Sequence, residues 1–261
     1  MIEIRQMRSG YGGRSVIEIE KSLFCEGNIV SVVGKNGCGK STLLKTLAGM
    51  LPYSGSIDLC GRQLRELPGR QRAGLVSYLP QSLTAPDMTV ATLVSHGRFS
   101  KMGFSKALSR HDRDIIGEAM DIAQVSSLSE RRVKDLSGGE RQRSFMAMVI
   151  AQDAEFLLMD EPSTYMDIEH QMTMWQVLGE LRRRGKGIII VSHDIPQCFS
   201  NSDSVLVMDG GRVLSNEPPR WYIDHGGPLV KALGVSVKKD TSEDSFYKYT
   251  LSKPASGGLD T

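Results

Sequence analysis

The sequence predicts an α/β fold with a mostly parallel sheet, an N-terminal antiparallel β subdomain and an inserted α-helical subdomain. Short apolar runs that alternate with helical segments predict the parallel sheet. Apolar–polar alternation near the N-terminus predicts antiparallel strands. A long stretch with helical spacing and little glycine predicts the inserted subdomain.

The strand predictions follow the chain from its N-terminus. Residues 2–7 and 15–23 alternate apolar and polar side chains, as half-buried antiparallel strands do. Residues 28–33 form a β-branched run that ends at a glycine, and 55–59 and 74–79 are further short candidates. Later strands are predicted from fully apolar runs or from a hairpin turn, at residues 156–159, 188–191 and 205–208.

The helical predictions and the domain boundaries complete this outline. Residues 90–152 place apolar side chains at helical spacing, and a further helix is predicted over 169–184. We therefore expect one domain over residues 1–237, into which the 90–152 subdomain is inserted. Residues 238–261 are polar and aperiodic, which is typical of a loosely held tail.

The composition restricts the class of protein. The 261 residues contain 32 Lys and Arg against 30 Asp and Glu, so the charge does not indicate a nucleic-acid-binding surface. The four cysteines are scattered, which favours reduced thiols in a cytosolic protein. The N-terminus has no apolar signal segment, and every apolar run is far shorter than the roughly 20 residues that span a bilayer.

A glycine-rich loop predicts a nucleotide site and a P-loop NTPase core. The loop matches the pattern G-x-x-x-x-G-K-[ST] and consists of Gly34, Lys35, Asn36, Gly37, Cys38, Gly39, Lys40 and Ser41. Its glycines allow successive backbone N–H groups to surround a phosphate, and the helix that follows adds positive potential. We expect Lys40 to reach the β- and γ-phosphates, Ser41 to bind Mg²⁺, and Thr42 to contact the α-phosphate.

Polar residues follow two of the predicted buried strands. Asp160 and Glu161 come at the end of the 156–159 run, and His193 follows the 188–191 run. Ligands bind at the carboxyl ends of strands in open α/β sheets, so these residues are expected in the nucleotide site. We assign Asp160 to Mg²⁺, Glu161 to general-base catalysis, and His193 to the γ-phosphate and the attacking water.

A resemblance to a known family emerges from the remaining motifs. The segment Leu136-Ser137-Gly138-Gly139-Glu140 resembles the LSGGQ motif of ABC-type ATPases. Gln81 in YLPQS, Tyr11 in SGYGG, Asp167 and His193 match further motifs of that family in the same order. The resemblance covers residues 1 to about 230.

The resemblance implies a role for each matched residue. Tyr11 would stack on adenine, and Gln81 would contact both Mg²⁺ and the attacking water. Ser137 and Gly139 would cap the γ-phosphate of ATP held by an opposite subunit, and Asp167 would lie on the dimer seam. The sequence supports a homodimer independently of the resemblance. Ser137-Gly138-Gly139 predicts a second helix N-terminus with free N–H groups, whereas one triphosphate needs only one such N-terminus. The second N-terminus would therefore bind the nucleotide of another copy of the chain.

Three residues or segments depart from the family pattern. Glu140 replaces the usual Gln, and residues 164–167 read Thr-Tyr-Met-Asp where Ser-Ala-Leu-Asp is frequent. Cys38 lies inside the phosphate loop, which leads to the hypothesis that alkylation of its thiol blocks ATP binding sterically.

The region after Gln81 indicates a transport task. Gly97-Arg98-Phe99 followed by Ser109 and Asp112 is similar to the GR[YF]…S-x-x-D layout of subunits that power uptake of ferric siderophores, haem and cobalamin. The resemblance implies a separate membrane-spanning permease that docks near Gln81, and indirectly a periplasmic or surface solute-binding protein. The subunit would then lie peripherally on the cytoplasmic face of the inner membrane.

Three other classes of protein are alternatives. An exporter subunit, or an importer of another solute, would share the family motifs, so only the region after Gln81 distinguishes these alternatives. A soluble ABC protein acting on nucleic acid, ribosomes or iron–sulfur assembly is disfavoured by the single cassette, the absence of sustained heptads and the balanced charge. A simple P-loop kinase would leave the glycine-rich segment at Ser137 unexplained.

Overall fold

A computed structural model describes residues 1–102, 107–164, 166–241 and 248–253 of the chain. The strands in these residues are β1 Ile2–Tyr11, β2 Arg14–Phe24, β3 Ile29–Val33, β4 Tyr53–Leu59, β5 Arg62–Gln63, β6 Val76–Leu79, β7 Phe156–Asp160, β8 Gly187–Val191, β9 Ser204–Asp209, β10 Arg212–Glu217, β11 Ser236–Lys239 and β12 Tyr249–Ser252. The α-helices in the same residues are α1 Lys40–Leu47, α2 Gly69–Leu75, α3 Val90–Ser95, α4 Arg110–Ile122, α5 Gly138–Ala151, α6 Ile168–Arg183, α7 Ile195–Asn201, α8 Trp221–Asp224 and α9 Gly227–Leu233. Within the described residues, none of these helices is both long enough and apolar enough to cross a membrane.

Six strands form the central sheet in the order β10-β9-β3-β8-β7-β6. The strands β9, β3, β8, β7 and β6 run parallel, and β10 pairs antiparallel with β9 at one edge. A parallel sheet is covered on both faces, which is why β7 and β8 are apolar almost throughout. The mostly parallel sheet predicted from these runs is confirmed.

Alternate side chains of the central strands enter two different cores. Leu157 and Ile190 pack with the helices α3 to α6, whereas Leu158 and Ile189 pack on the opposite face with α1 and the N-terminal strands. Both sets are buried, and burying one such side chain contributes about 1.5–3 kcal/mol. The two cores hold the carboxyl ends of the strands between α1 and the helical subdomain.

The N-terminal subdomain is an antiparallel sheet with strand order β2-β1-β4-β5. Its alternation buries Ile2, Ile4 and Ile19 against α1, whose Leu43 and Leu44 are fully buried in the same core. This arrangement confirms the predicted antiparallel subdomain. It also fixes α1, and the loop before it, against the central sheet.

The helical subdomain contains α3, α4 and α5, which pack against one another. The position of Gly97, just after α3, requires glycine because a Cβ there would lie 2.3 Å from the backbone oxygen of Met148 on α5. The close approach of α3 and α5 therefore depends on this residue. The inserted helical subdomain predicted from the sequence is confirmed.

A buried ion pair joins the helices of this subdomain. Nε of Arg98 donates to Oδ1 of Asp112 at 2.9 Å, and Nη1 donates to the backbone oxygen of Ala151 at 3.0 Å. Ser109 caps α4, and its hydroxyl donates to Oδ2 of Asp112 at 2.6 Å. The GR[YF]…S-x-x-D layout is therefore a structural connection between α3, α4 and α5.

Replacing Asp112 with Ala is expected to lower the free energy of unfolding by about 3–5 kcal/mol, because it leaves the buried Arg98 guanidinium without its anion. Urea denaturation of the purified chain measures this loss. Asp114→Ala, on the exposed face of the same helix, is the control and should change stability by no more than about 0.5 kcal/mol. A loss below about 1 kcal/mol for Asp112→Ala would show that the pair is not a stabilising connection.

The pH dependence of this pair follows from the same contacts. Hydrogen bonds from Ser109 and Arg98 lower the pKa of Asp112 to about 2, from an ordinary value of 3.8. A carboxyl whose pKa is lower in the folded protein stabilises it above the unfolded pKa. The contribution of Asp112 is therefore fully present near neutral pH and is lost as the pH falls from about 4 towards 2.

Two elements differ from the sequence predictions. Residues 74–79 were expected to form a strand, but Gly74 and Leu75 end the helix α2 and the strand begins at Val76. The polar segment after residue 238 was expected to be aperiodic, yet β11 pairs antiparallel with β12. The predicted domain boundary between 237 and 238 falls inside β11, and the boundary itself stays a prediction. Residues 242–247 and 254–261 of the predicted tail lie outside the described residues.

Candidate nucleotide site

The phosphate loop, residues 34–41, connects β3 to α1. Gly39 is the N-cap of α1 and has φ 105°, a conformation that favours glycine, and a Cβ on it would lie 2.3 Å from Cγ2 of Ile17. No side chain caps this helix, so its first N–H groups are available to an anion. The loop thus has the geometry expected from its glycines.

Lys40 lies at the centre of this loop. Its Nζ donates to the backbone oxygen of Gly34 at 2.8 Å and to that of Lys35 at 3.1 Å. The side chain is buried, so its positive charge is held close to the loop backbone and is poorly screened by solvent. This charge and the N–H groups of α1 together favour a phosphate at the same place.

An open cavity of about 420 Å³ brings the loop together with the polar ends of the strands. It is lined by Val16, Asn36, Gly37, Gly39, Lys40, Ser41, Thr42, Gln81, Glu161 and His193. A larger cavity, of about 590 Å³, lies on the N-terminal sheet and is lined by Gln6, Arg8, Glu18, Ile19, Glu20, Ser54 and Gly55. We take the smaller one as the site, because it contains the phosphate loop and the predicted catalytic residues.

Asp160 and Ser41 form a pair of oxygen donors beside the loop. The Ser41 hydroxyl donates to Oδ1 of Asp160 at 3.0 Å, and the Tyr78 hydroxyl donates to Oδ2 at 3.3 Å. Burial raises the pKa of the Asp160 carboxyl, and a bound cation would offset that cost. Hard oxygen ligands of this kind suit Mg²⁺, so the two residues fit the metal role predicted for them.

Glu161 is the centre of a hydrogen-bonded group of three residues. Its Oε2 accepts from Nε2 of Gln81 at 2.6 Å, and its Oε1 lies 2.5 Å from Nε2 of His193. Its backbone has φ 51°, a left-handed conformation that is uncommon outside glycine and that concentrates at functional sites. The structure therefore brings together all three residues to which the sequence analysis gave catalytic roles.

Tyr11 and Cys38, which were predicted to bind nucleotide, are not among the residues that line the cavity. Tyr11 ends β1 with nearly half of its surface exposed, and the cavity wall near this hairpin is Val16. The Cys38 side chain is only 6% exposed and packs in the core beneath the loop, where burial raises the pKa of its thiol. A buried, protonated thiol reacts slowly, so the structure removes the basis for the hypothesis that Cys38 alkylation blocks ATP.

The segment from Ser137 to Glu140 begins the helix α5. Ser137 is the N-cap and accepts from the Glu140 backbone N–H at 3.2 Å, while Oε2 of Glu140 accepts from the Ser137 backbone N–H at 2.9 Å. This capping box leaves the N–H groups of Gly138 and Gly139 free to donate. A carboxylate at position 140 therefore serves the helix cap, as Gln would.

Asp167 is the N-cap of α6 and is separate from the nucleotide cavity. Its Oδ1 accepts from the His170 backbone N–H at 2.9 Å and lies 2.6 Å from Nδ1 of the same residue. The hydrogen bond from the His170 backbone is the main cause of the lowered pKa of Asp167. Tyr165, in the unusual segment before Asp167, lies outside the described residues. Among the described residues, neither the segment 137–139 nor Thr164, Met166 and Asp167 line the cavity of their own chain.

The sequence analysis did not single out three residues of these two sites. Tyr78 contacts Asp160 but lies inside a strand, where its polar end has no motif to mark it. Neither His170 nor Arg143 belongs to one of the motifs identified in the sequence. In the sequence, such residues could be found only as isolated polar side chains among apolar neighbours, a pattern that indicates a buried polar group in need of a partner.

A phosphate loop, a carboxylate pair at the end of β7 and a second glycine-rich helix N-terminus define an ATPase of the ABC type. The chain belongs to the ABC transporter family of ATP-binding subunits, whose model matches residues 22–164. Members of this family are ATPases coupled to transport, so the activity and the family expected from the motifs are confirmed.

The curated relatives share most of their length with this chain. The iron(3+)-hydroxamate import ATP-binding protein FhuC of Bacillus subtilis (strain 168) is 36% identical over 216 residues, which are 82% of this chain and 80% of FhuC. The ferric enterobactin transport ATP-binding protein FepC of Escherichia coli (strain K12) is 33% identical, with 84% and 82% covered. The hemin import ATP-binding protein HmuV of Nocardia farcinica (strain IFM 10152) is 37% identical, with 82% and 75% covered.

Solved structures agree with the fold. An ATP-binding subunit of an ABC transporter superposes with a TM-score of 0.76 at 20% identity, covering 87% of this chain and 94% of that one. MJ0796, a bacterial ABC transporter cassette, superposes with a TM-score of 0.75 at 22% identity, covering 84% and 99%. At these identities the likeness is one of fold.

Proposed function

We propose that this chain is the ATP-hydrolysing subunit of an importer for ferric siderophores, haem or cobalamin, working through a separate permease. The observation on which the proposal rests is the group of relatives, which are named for iron-hydroxamate, enterobactin and hemin uptake and are at least 33% identical. The layout from Gly97 to Asp112, which is similar to that of the same group, supports it. These relatives argue against the exporter and the soluble alternatives.

The two helix N-termini support a homodimer that binds two ATP molecules. The N-terminus of α1 lines the cavity, whereas the Ser137–Gly139 segment does not. Two-fold pairing of the chain would place the Ser137–Gly139 segment of each copy over the γ-phosphate held by the other. Asp167 would then lie on the seam, and Tyr11 would stack on the adenine ring.

Each residue of the loop has a role in holding the triphosphate. The N–H groups of Gly37 and of residues 39–42, together with the Lys40 ammonium, bind the β- and γ-phosphates, and Thr42 contacts the α-phosphate. Ser41 and Asp160 would hold Mg²⁺, with Gln81 at its edge. When bound, the ion supplies charge neutralisation at the phosphate oxygens.

Hydrolysis follows from the group around Glu161. A water molecule attacks the γ-phosphorus, the bond to the β–γ bridging oxygen breaks, and the carboxylate of Glu161 takes the proton from the water. Gln81 and His193 contact the two oxygens of Glu161 and hold its carboxylate in place. His193 and Gln81 are thereby placed to orient the water and to donate to the γ-phosphate.

The helical subdomain offers a surface for the permease. Phe99 is 56% exposed and its ring lies 4.4 Å from that of His96, and Arg70 fixes the adjoining turn by donating to the backbone oxygen of Ser100 at 2.7 Å. An exposed aromatic residue on a rigid turn suits a short permease helix. The subunit would then lie on the cytoplasmic face of the inner membrane, with a solute-binding protein acting on the other side.

Replacing Lys40 with Ala should abolish uptake of the transported chelate. In a strain that lacks the gene, uptake of ⁵⁵Fe-hydroxamate, ⁵⁵Fe-enterobactin, haem and labelled cobalamin is measured after return of the wild-type chain or Lys40→Ala. We expect the wild type to restore at least one of these uptakes and Lys40→Ala to restore none, because the loop loses its only buried cation within the described cavity lining.

The control for this experiment is Lys231→Ala, an exposed lysine on α9 that lies far from the loop in sequence and outside the cavity lining. It should restore uptake as the wild type does. If deletion of the gene leaves all four uptakes unchanged, the proposed class of solute is wrong. If Lys40→Ala restores uptake fully, the loop does not power the transport.

A further inference from the structure

A charged cluster lies beside the Gly139 turn and consists of Arg143, Asp167 and His170. Arg143 is on α5, and the other two begin α6. A Cβ built on Gly139 would lie 3.9 Å from Nδ1 of His170 and 4.0 Å from Nη1 of Arg143. The imidazole and the guanidinium therefore approach the same point, next to the backbone that offers N–H groups to the partner's ATP.

Arg143 is a buried cation whose donors are not all used. Its side chain is 8% exposed, and its Nε and Nη1 atoms have no hydrogen-bond partner among the described residues. Leaving a buried charge without an anion is unfavourable. In the isolated subunit, Arg143 therefore has unused donors that can bind an anion in another conformation of the protein.

Two carboxylates lie close enough to Arg143 for its positive charge to affect their pKa values, Glu140 and Asp167. Both oxygens of Glu140 are already engaged, one by the Ser137 N–H at 2.9 Å and the other by Nη1 of Arg131 at 3.3 Å. In Asp167 only Oδ1 is engaged, by His170, and within the described residues Oδ2 accepts no hydrogen bond. Asp167 is also largely exposed at the start of its helix, so no packed neighbour prevents its carboxylate from reorienting once the contact with His170 is released.

We propose that Arg143 is a positioning residue that receives the carboxylate of Asp167 when two subunits close around ATP, and that His170 holds this carboxylate while they are apart. The inference rests on the proposed ATP-bound homodimer. Arg143 lies one turn after Gly139 on α5, and Asp167 caps α6. An ion pair between them connects the Ser137–Gly139 segment, which faces the partner's ATP, to the dimer seam. The segment and the seam then move together.

A double-mutant cycle tests this pairing in the full chain. Arg143→Met keeps the length of the side chain and removes its charge, and Asp167→Asn keeps the shape of its carboxylate. We expect each single variant to lower kcat for ATP about 10-fold, and the double variant to be lowered about 10-fold as well, because both remove the same ion pair. KM for ATP should stay within about 2-fold, since neither residue contacts nucleotide.

Further variants separate this role from a merely structural one. Arg143→Lys retains the charge and should recover part of kcat, and Arg143→Gln is run through the same cycle so that the result does not depend on one variant's folding. The control is Gln142→Met, which removes another buried side chain with an unused donor from the same helix. Its effect on kcat should multiply with that of Asp167→Asn.

Two results would overturn the proposal. Losses of Arg143→Met and Asp167→Asn that multiply to about 100-fold would show that the residues act independently. An Arg143→Met variant with raised KM and unchanged kcat would show that Arg143 acts in nucleotide binding. The Glu161→Gln variant tests the homodimer separately. It should form a dimer in Mg-ATP whether or not Arg143 contacts Asp167, so failure to dimerise would count against the homodimer and not against the ion pair.

Discussion

Replacing Glu161 with Gln is expected to lower ATP turnover by about 10²–10⁴-fold while leaving ATP binding intact. The amide keeps the shape of the side chain and its contact with Gln81, which is 2.6 Å in the wild type, but it cannot accept a proton from water. Phosphate release from the purified chain at saturating Mg-ATP measures the loss. Light scattering on the same samples should show an ATP-bound dimer, because the step that separates the subunits is blocked.

Glu155→Gln is the matched control for this variant. Glu155 directly precedes β7 at the end opposite to Glu161, and it is exposed. Turnover of Glu155→Gln should therefore stay within about 2-fold of the wild type, as expected for a surface change away from the site. A Glu161→Gln protein that remains monomeric at saturating Mg-ATP would contradict the proposed ATP-bound pair.

The parts of the site that the sequence predicts correctly are those with strict local rules. A phosphate loop requires glycine, lysine and serine at fixed positions, and Asp160 and His193 follow apolar runs whose parallel pairing was expected. The structure places Gln81, Glu161 and His193 around one cavity, although they are far apart in the chain. Strand order explains this, since β6, β7 and β8 are neighbours whose carboxyl ends meet at one edge.

The parts that were missed depend on contacts between distant residues. The strand β12 lies in a polar segment with no clear period, but Tyr249 packs its ring 5.9 Å from that of Phe199. The helix α2 follows Pro68, and its Arg, Gln and Ala residues favour a helix over the strand that was expected at Gly74. In both cases the deciding factor was packing or propensity beyond the apolar pattern.

The charged cluster of Arg143, Asp167 and His170 could not be predicted from the sequence either. Each residue alone is an ordinary polar residue on a helix, and only the folded chain makes one of them a buried cation with unused donors, close to the first turn of α6. The family motif identifies Asp167 but gives no partner for it within its own chain. Burial and hydrogen-bond accounting supply that partner, which is information the linear sequence does not contain.

Replacing Ser137 with Arg is expected to abolish both turnover and ATP-dependent pairing, with turnover falling by at least about 10²-fold, as for loss of a donor that contacts a developing charge. The serine hydroxyl and the N–H groups of Gly138 and Gly139 would face the partner's γ-phosphate. A long side chain at this position fills the space into which the phosphate must come. Phosphate release from Ser137→Arg alone measures the loss of turnover. Light scattering on the double variant Ser137→Arg/Glu161→Gln in Mg-ATP measures the loss of pairing.

Loss of the helix cap alone does not account for such a result, and a second capping box in this chain shows why. Ser109 caps α4 through Asp112 as Ser137 caps α5 through Glu140, so Ser109→Ala and Ser137→Ala each remove a similar cap worth about 1 kcal/mol. We expect similar losses of stability but different activities, with turnover reduced only by Ser137→Ala. If Ser137→Arg retains both turnover and pairing, the Ser137–Gly139 segment does not bind the partner's ATP, because no phosphate could reach its N–H groups past that side chain.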